Sequence, residues 1–142
     1  MSRNKAVILI IGIILILVGG WLGLRTFLAV DSPFYVVSSE SMVPNLEKGD
    51  GVIIRNGDGY SFGDLQTGDI IVFHTEDGGG RVIIHRIVEV YSDDSDYRLV
   101  KTKGDANPQS YEGMDYPITE EDYYGKVILT IPKIGALRYL GS

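Results

Sequence analysis

Ile70-Ile71-Val72-Phe73-His74-Thr75-Glu76-Asp77-Gly78-Gly79-Gly80-Arg81-Val82-Ile83-Ile84-His85-Arg86-Ile87-Val88-Glu89-Val90 is the stretch that decides the fold. Both of its ends are rich in Val, Ile and Phe, side chains that suit a pleated, half-buried surface. Between them, Thr75 to Gly80 has the polar, glycine-rich composition of a hairpin loop. The stretch therefore reads as a strand over 70–74 and a long returning strand over 81–90. Further runs of this kind lie at Phe34–Val37, Gly51–Arg55, Tyr97–Lys103 and Tyr124–Ile131, separated by Gly, Asp, Asn and Pro turn signals. No amphipathic helix of ordinary length and no internal repeat interrupts them. The expected fold is mostly β, a small barrel or a pair of packed sheets.

Upstream of the first strand the chain changes character. Ala6 to Leu24 (AVILIIGIILILVGGWLGL) carries no charge. At about 1.5 Å per residue this run makes roughly 29 Å of helix, close to the hydrocarbon thickness of a bilayer. It reads as a membrane span. A cleaved secretory signal has a shorter apolar region followed by a small-residue cut site, which does not fit here. Arg3 and Lys5 precede the run and Trp21 stands near its far end. The positive-inside tendency then keeps the N-terminus cytoplasmic and exports the remainder of the chain. Two parts are expected: residues 1–30 as cytoplasmic N-terminus and anchor, and residues 31–142 as an exported, β-rich domain. The apolar tail from Ile134 to Leu140 is too short to span and is expected against the membrane surface.

The formal net charge of -6 conceals an asymmetry. Of 13 Lys and Arg, the three at Arg3, Lys5 and Arg25 flank the apolar run, which leaves 10 against 19 acidic residues in the exported part. Such an acidic domain does not suit a nucleic-acid partner. Cysteine is absent, so disulfides and thiolate metal sites are excluded.

Chemistry is sought first in Ser38-Ser39-Glu40-Ser41-Met42-Val43-Pro44-Asn45-Leu46-Glu47-Lys48-Gly49-Asp50, which lies shortly after the span. Ser, Pro, Gly and Asp are all turn formers, and local composition alone reads as a turn. A nucleophilic serine needs a base, a group that orients the base, and donors for the oxyanion. The sequence has two histidines, His74 and His85. His74 ends a strand, whereas His85 shares a face with Ile83 and Ile87 by the period of two. Asp105 and Asp115 are the chief candidate acids, each equally readable as a turn residue. The scattered carboxylates show none of the short ligand spacings of a zinc site, and no phosphate-binding glycine loop is present. No metal and no cofactor is expected.

Ser39-Glu40-Ser41-Met42-Val43-Pro44, then Gly68-Asp69-Ile70-Ile71-Val72-Phe73, then Ile84-His85-Arg86-Ile87-Val88, then Lys103-Gly104-Asp105-Ala106-Asn107 resemble, in this order, the motif boxes of type I signal peptidases. The resemblance extends from the span through Gly125-Lys126-Val127. Bacterial members have lysine where this chain has His85, so the likeness is to the archaeal and endoplasmic-reticulum type. It implies Ser41 as nucleophile, His85 as general base, and an Asp completing the relay. Relatives place a second acid about six residues after the Asp of Lys-Gly-Asp, a position held here by Tyr111. The loop is lengthened, which shifts the expected triad acid to Asp115 and leaves Asp105 a supporting role. The oxyanion hole is expected from the Ser41 N–H and the Ser39 hydroxyl.

The resemblance further implies a membrane-anchored serine endopeptidase that cleaves signal peptides from exported preproteins beside the outer membrane surface. Phe34, Tyr35 and Val36 then border a groove for an extended peptide. Accessory subunits are undefined at this level. The displaced acid leaves a second reading open, a non-catalytic, membrane-tethered β module acting as a binding or assembly subunit. A soluble self-cleaving regulator, pairing serine with lysine, fits neither the span nor His85.

Overall fold

The computed structural model describes residues 2–75 and 80–133. The tip of the expected 75–80 loop and the tail from Ile134 onward lie outside the described residues. The first element, α1 (Arg3–Leu28), has a mean hydropathy of 2.9 over its most apolar window, none of which is buried within the protein. It ends at Ala29, a left-handed residue with φ 53°. There the Ala29 N–H donates to Thr26 O and the Val30 N–H to Arg25 O, which satisfies carbonyls the helix leaves open.

The helix end is fastened to the domain. Leu28 is buried, and its carbonyl accepts the Asn56 N–H at 2.9 Å. The Arg55 guanidinium lies 4.7 Å from the Phe27 ring centre and 4.8 Å from that of Tyr60. Such cation–π contacts at partly exposed sites contribute about 0.5 to 1 kcal/mol each.

Six strands come next: β1 (Phe34–Val36), β2 (Gly51–Arg55), β3 (Ile70–His74), β4 (Val82–Ser92), β5 (Arg98–Lys103) and β6 (Tyr123–Ile131). They form one antiparallel sheet in the order β1-β2-β6-β3-β4-β5. The fold is mostly β behind one long apolar helix, as expected from the sequence.

Alternation builds a core on each face of the sheet. On β3, Ile71 and Phe73 join Phe62, Leu65, Ile87 and Val100 on one face. Ile70 and Val72 point the other way, toward Val37, Met42, Leu46, Val52 and Ile54. Burial on both faces explains why β3 is a continuous apolar run and not an alternating one.

A recurring turn sets the strand ends. Gly49 and Gly68 have φ of 97° and 99°, a region that disfavours a side chain. The next residue in each turn is an aspartate that accepts the N–H three residues back: Glu47 N–H to Asp50 and Gln66 N–H to Asp69, both at 2.9 Å. Asp50 also accepts the Lys133 N–H at 3.0 Å, which ties the turn carrying the serines to the end of β6.

Candidate active site

Residues 38–50 leave β1 and return to β2 as a compact turn. Val37 N–H donates to Asp50 O and Gly49 N–H to Val37 O, both at 2.8 Å, so the turn closes on itself. Met42 and Leu46 point into the core and hold it down. Ser41 is thereby left half-exposed on a fixed backbone, its carbonyl accepting the Ala106 N–H at 2.8 Å.

His85 stands in the middle of β4, 3% exposed, paired across to Ile71 and set edge-on to the Phe73 ring. Its Nε2 is 3.1 Å from Ser41 Oγ, and its Nδ1 is 2.6 Å from Asp115 Oδ1. A carboxylate only accepts, so the neutral ring carries its proton on Nδ1 and turns the Nε2 lone pair toward the Ser41 hydroxyl.

Asp115 is fully buried. Oδ1 also accepts the Thr102 hydroxyl at 2.9 Å, and Oδ2 accepts the Tyr111 N–H at 2.9 Å. Burial pushes this carboxyl upward, but the His85 bond, the Tyr111 N–H and the Thr102 hydroxyl together outweigh it. The group is held below the ordinary carboxylate range. It is a buried anion whose lone pairs are occupied by donors, as a buried charge requires.

Asp105 makes no hydrogen bond to His85. Its carboxylate receives Arg86 Nε at 2.9 Å on one oxygen and Arg86 Nη2 at 2.9 Å on the other, with Asn45 Nδ2 adding a bond at 2.8 Å. The Arg86 fork holds this carboxyl below its usual range. Arg86 reaches on to Gly68 O at 2.9 Å, and the Asp105 N–H approaches Met42 Sδ at 3.4 Å. Asp105 thus fastens the 104–107 loop, the serine turn and β4 together.

Ser39 Oγ lies 3.0 Å from Ser41 Oγ. The Ser41 N–H has no acceptor among the described residues. Ser39, Ser41 and His85 open onto a cleft of about 290 Å³ between Tyr35–Met42 and Arg81–His85, with Asn107 and Met114 also on its wall. His74 lies elsewhere, stacked on Tyr124 and 3.9 Å from Asp122.

Thr102, Arg86 and Asn45 are not among the residues expected from the sequence. Thr102 had a usable signal: β5 buries Val100 and Thr102 in alternation, so a hydroxyl occupies a core register and needs a partner there. Arg86 and Asn45 carried no such mark. Among the described residues, no group of three or more His, Asp or Glu is arranged to hold a metal.

Comparisons with known proteins identify the family. Residues 4–112 match the family described as signal peptidase, peptidase S26. The chain is 30% identical over 119 residues to the signal peptidase complex catalytic subunit sec11 of Dictyostelium discoideum, covering 81% of this chain and 64% of that protein. The SEC11 subunit of Eremothecium gossypii is 31% identical, covering 86% of this chain and 73% of its own length. That of Komagataella phaffii is 33% identical, covering 84% and 72%. With most of the chain matched, at this identity and by the family description alike, the protein belongs to the signal peptidase family, peptidase S26.

Proposed function

We propose that this chain is a membrane-anchored serine endopeptidase that removes signal peptides from exported preproteins. The observation that carries the reading is the unbroken hydrogen-bonded series Ser41–His85–Asp115 opening onto the cleft. In the proposed reaction, Ser41 Oγ attacks the scissile carbonyl while its proton passes to His85 Nε2. Asp115 holds the Nδ1–H and stabilises the imidazolium. The oxyanion is received by the Ser41 N–H and the Ser39 hydroxyl, whose oxygen lies 3.0 Å from Ser41 Oγ. His85 then returns the proton to the departing amine, and the signal peptide stays esterified to Ser41. A water deprotonated by His85 hydrolyses that ester, and the serine recovers its proton.

The substrate is proposed to lie extended along β1 and the start of β4, where Tyr35, Val36 and Ile83 line the cleft. Residues 1–30 serve as the anchor with a cytoplasmic N-terminus, and residues 31–142 as the extracytoplasmic domain. A further feature supports a membrane-apposed domain. The register pairs Phe34 with Ile53 and Ile53 with Leu129, and Val36 with Gly51 and Gly51 with Ile131, so these side chains share one face. Phe34, Val36 and Leu129 are exposed there. By the same alternation Arg55 lies on that face and meets Phe27 of α1, so the apolar face and the helix end look the same way. The relatives are named as subunits of a signal peptidase complex, and accessory subunits for this chain belong to the same reading.

The alternative of a non-catalytic module drew its support from the displaced acid. The bond between Asp115 and His85 favours the catalytic reading over that alternative. The test is cleavage of a preprotein by the purified full chain in detergent beside a Ser41→Ala control. A Ser41-dependent cut at the signal-peptide boundary is expected. No such cut across several preproteins would overturn the proposal.

A further inference from the structure

We propose that the side-chain amide of Asn107 donates a hydrogen bond to a main-chain carbonyl of the substrate beside the scissile bond. This inference rests on the peptide-cleaving reading above and adds a substrate-contacting residue to it.

The 104–107 turn is held from several sides. Asn107 N–H donates to Gly104 O at 2.9 Å, and the Lys103 ammonium bridges Gly104 O at 2.9 Å and Asn107 O at 2.7 Å. The Ala106 N–H reaches Ser41 O, and Asp105 is clamped by Arg86. The main chain of Asn107 is therefore committed, while its side-chain amide bonds to no group among the described residues. That amide lines the same cleft as Ser39, Ser41 and His85.

Gly104 fixes its place relative to the reacting groups. A methyl group built there would meet Asn107 Nδ2 at 2.6 Å, Ser41 O at 2.7 Å and His85 Nε2 at 3.0 Å. One methyl's width thus separates the amide from the imidazole edge that faces Ser41 Oγ. A half-buried amide with two unmatched N–H groups gains most from an acceptor brought by a ligand. An extended peptide presents a carbonyl at every residue whatever its sequence. A donor on a rigid turn suits an enzyme that must accept many sequences and still hold one bond in line with the serine.

The test separates binding from cleavage. In the full-length Ser41→Ala background in detergent, the affinity for a fluorescent peptide spanning the cut of a preprotein is measured with and without Asn107→Leu and Asn107→Asp. Both substitutions approximate the size of asparagine and remove the donor. Roughly tenfold weaker binding is expected for each, the worth of one hydrogen bond to a fixed donor, with unchanged melting temperature. In the Ser41 parent, kcat/KM falls by the same factor. Parent-like affinity in both variants would overturn the inference. So would a loss confined to Asn107→Leu and accompanied by a lower melting temperature. Asn107-dependent binding by a chain that cuts nothing would leave the inference standing and remove the catalytic reading; Ser41-dependent cleavage with Asn107-independent binding would do the reverse. No peptide binding at all would remove both.

Discussion

The Thr102 hydroxyl donates to Asp115 Oδ1 at 2.9 Å, the same oxygen that takes the Nδ1–H of His85 at 2.6 Å. Two donors on one oxygen fix both the rotamer of the acid and the tautomer of the ring. Asp115→Asn breaks this logic, because its amide can present an N–H where an acceptor is required. A fall in kcat on the order of 10³ to 10⁴ is expected, with KM little changed. Thr102→Val keeps shape and removes one donor, for a several-fold loss of kcat and about 1 kcal/mol of stability. Preprotein cleavage set against the Ser41→Ala background measures both. Full activity in Asp115→Asn would remove this acid from the mechanism.

Asp105 predicts a different signature. Its bonds to Arg86 and Asn45 join loop to strand, so Asp105→Asn should lower stability by about 1 to 3 kcal/mol at neutral pH. Arg86 lowers this carboxyl in the folded chain, so the unfolded chain takes up its proton first as pH falls. The stabilisation is complete above the ordinary Asp range and is lost as pH drops through the lowered folded value. Denaturant unfolding of parent and variant should therefore converge in acid. A stability gap that stays constant down through that window would show that the Arg86–Asp105 pair is not its source.

Legibility in the sequence depends on where each signal lives. All six strands were readable because each is a β-branched or aromatic run closed by Gly, Asp or Pro, and these local turn devices act in the structure as they read. The sheet order was not, since β2 lies beside β6 and β6 beside β3 through pairings distant in sequence. The stretch from Gly104 to Asp122, mostly Gly, Asn, Pro, Asp and Glu, carries no strand or helix pattern. It contains a bridge between Val100 and Ile118 and a short 3-10 turn at Glu120–Asp122, neither with any periodicity to announce it. Loop length and family spacing favour Asp115 over Asp105 as the acid. The reason it reaches His85 is tertiary: Thr102 N–H donates to Asp115 O at 2.9 Å and draws the loop back over β5.

Gly104 has φ outside the left-handed region, so its requirement is one of space. A Cβ there meets an amide, a main-chain oxygen and the Nε2 edge of His85, all at 3.0 Å or less. Ser41 O cannot retreat without losing the Ala106 N–H, and His85 is fixed by Asp115. Gly104→Ala should cost about 10²-fold in kcat through displacement of the Ser41–His85 pair. The measurement is turnover alongside melting temperature. An active, fully stable Gly104→Ala protein would mean that the loop can shift without moving the reacting groups.

The exposed apolar face of β1, β2 and β6 carries the last prediction. Residues 31–142 are net acidic and are repelled by anionic headgroups, so apolar contact is what would hold this face against a bilayer. Leu129 is 53% exposed and Val36 55%, and each such side chain buried in the interface contributes on the order of 1 kcal/mol. The chain has no cysteine, so single cysteines at these positions can be labelled cleanly. In vesicles containing brominated lipid, a fluorophore on Leu129→Cys or Val36→Cys should be quenched, and one on Asp94→Cys, in the turn between β4 and β5, should not. Quenching that is equal at all three positions, or absent from all, would separate this face from the membrane. The proposed path of a substrate from the lipid surface to the cleft along β1 would then lose its support.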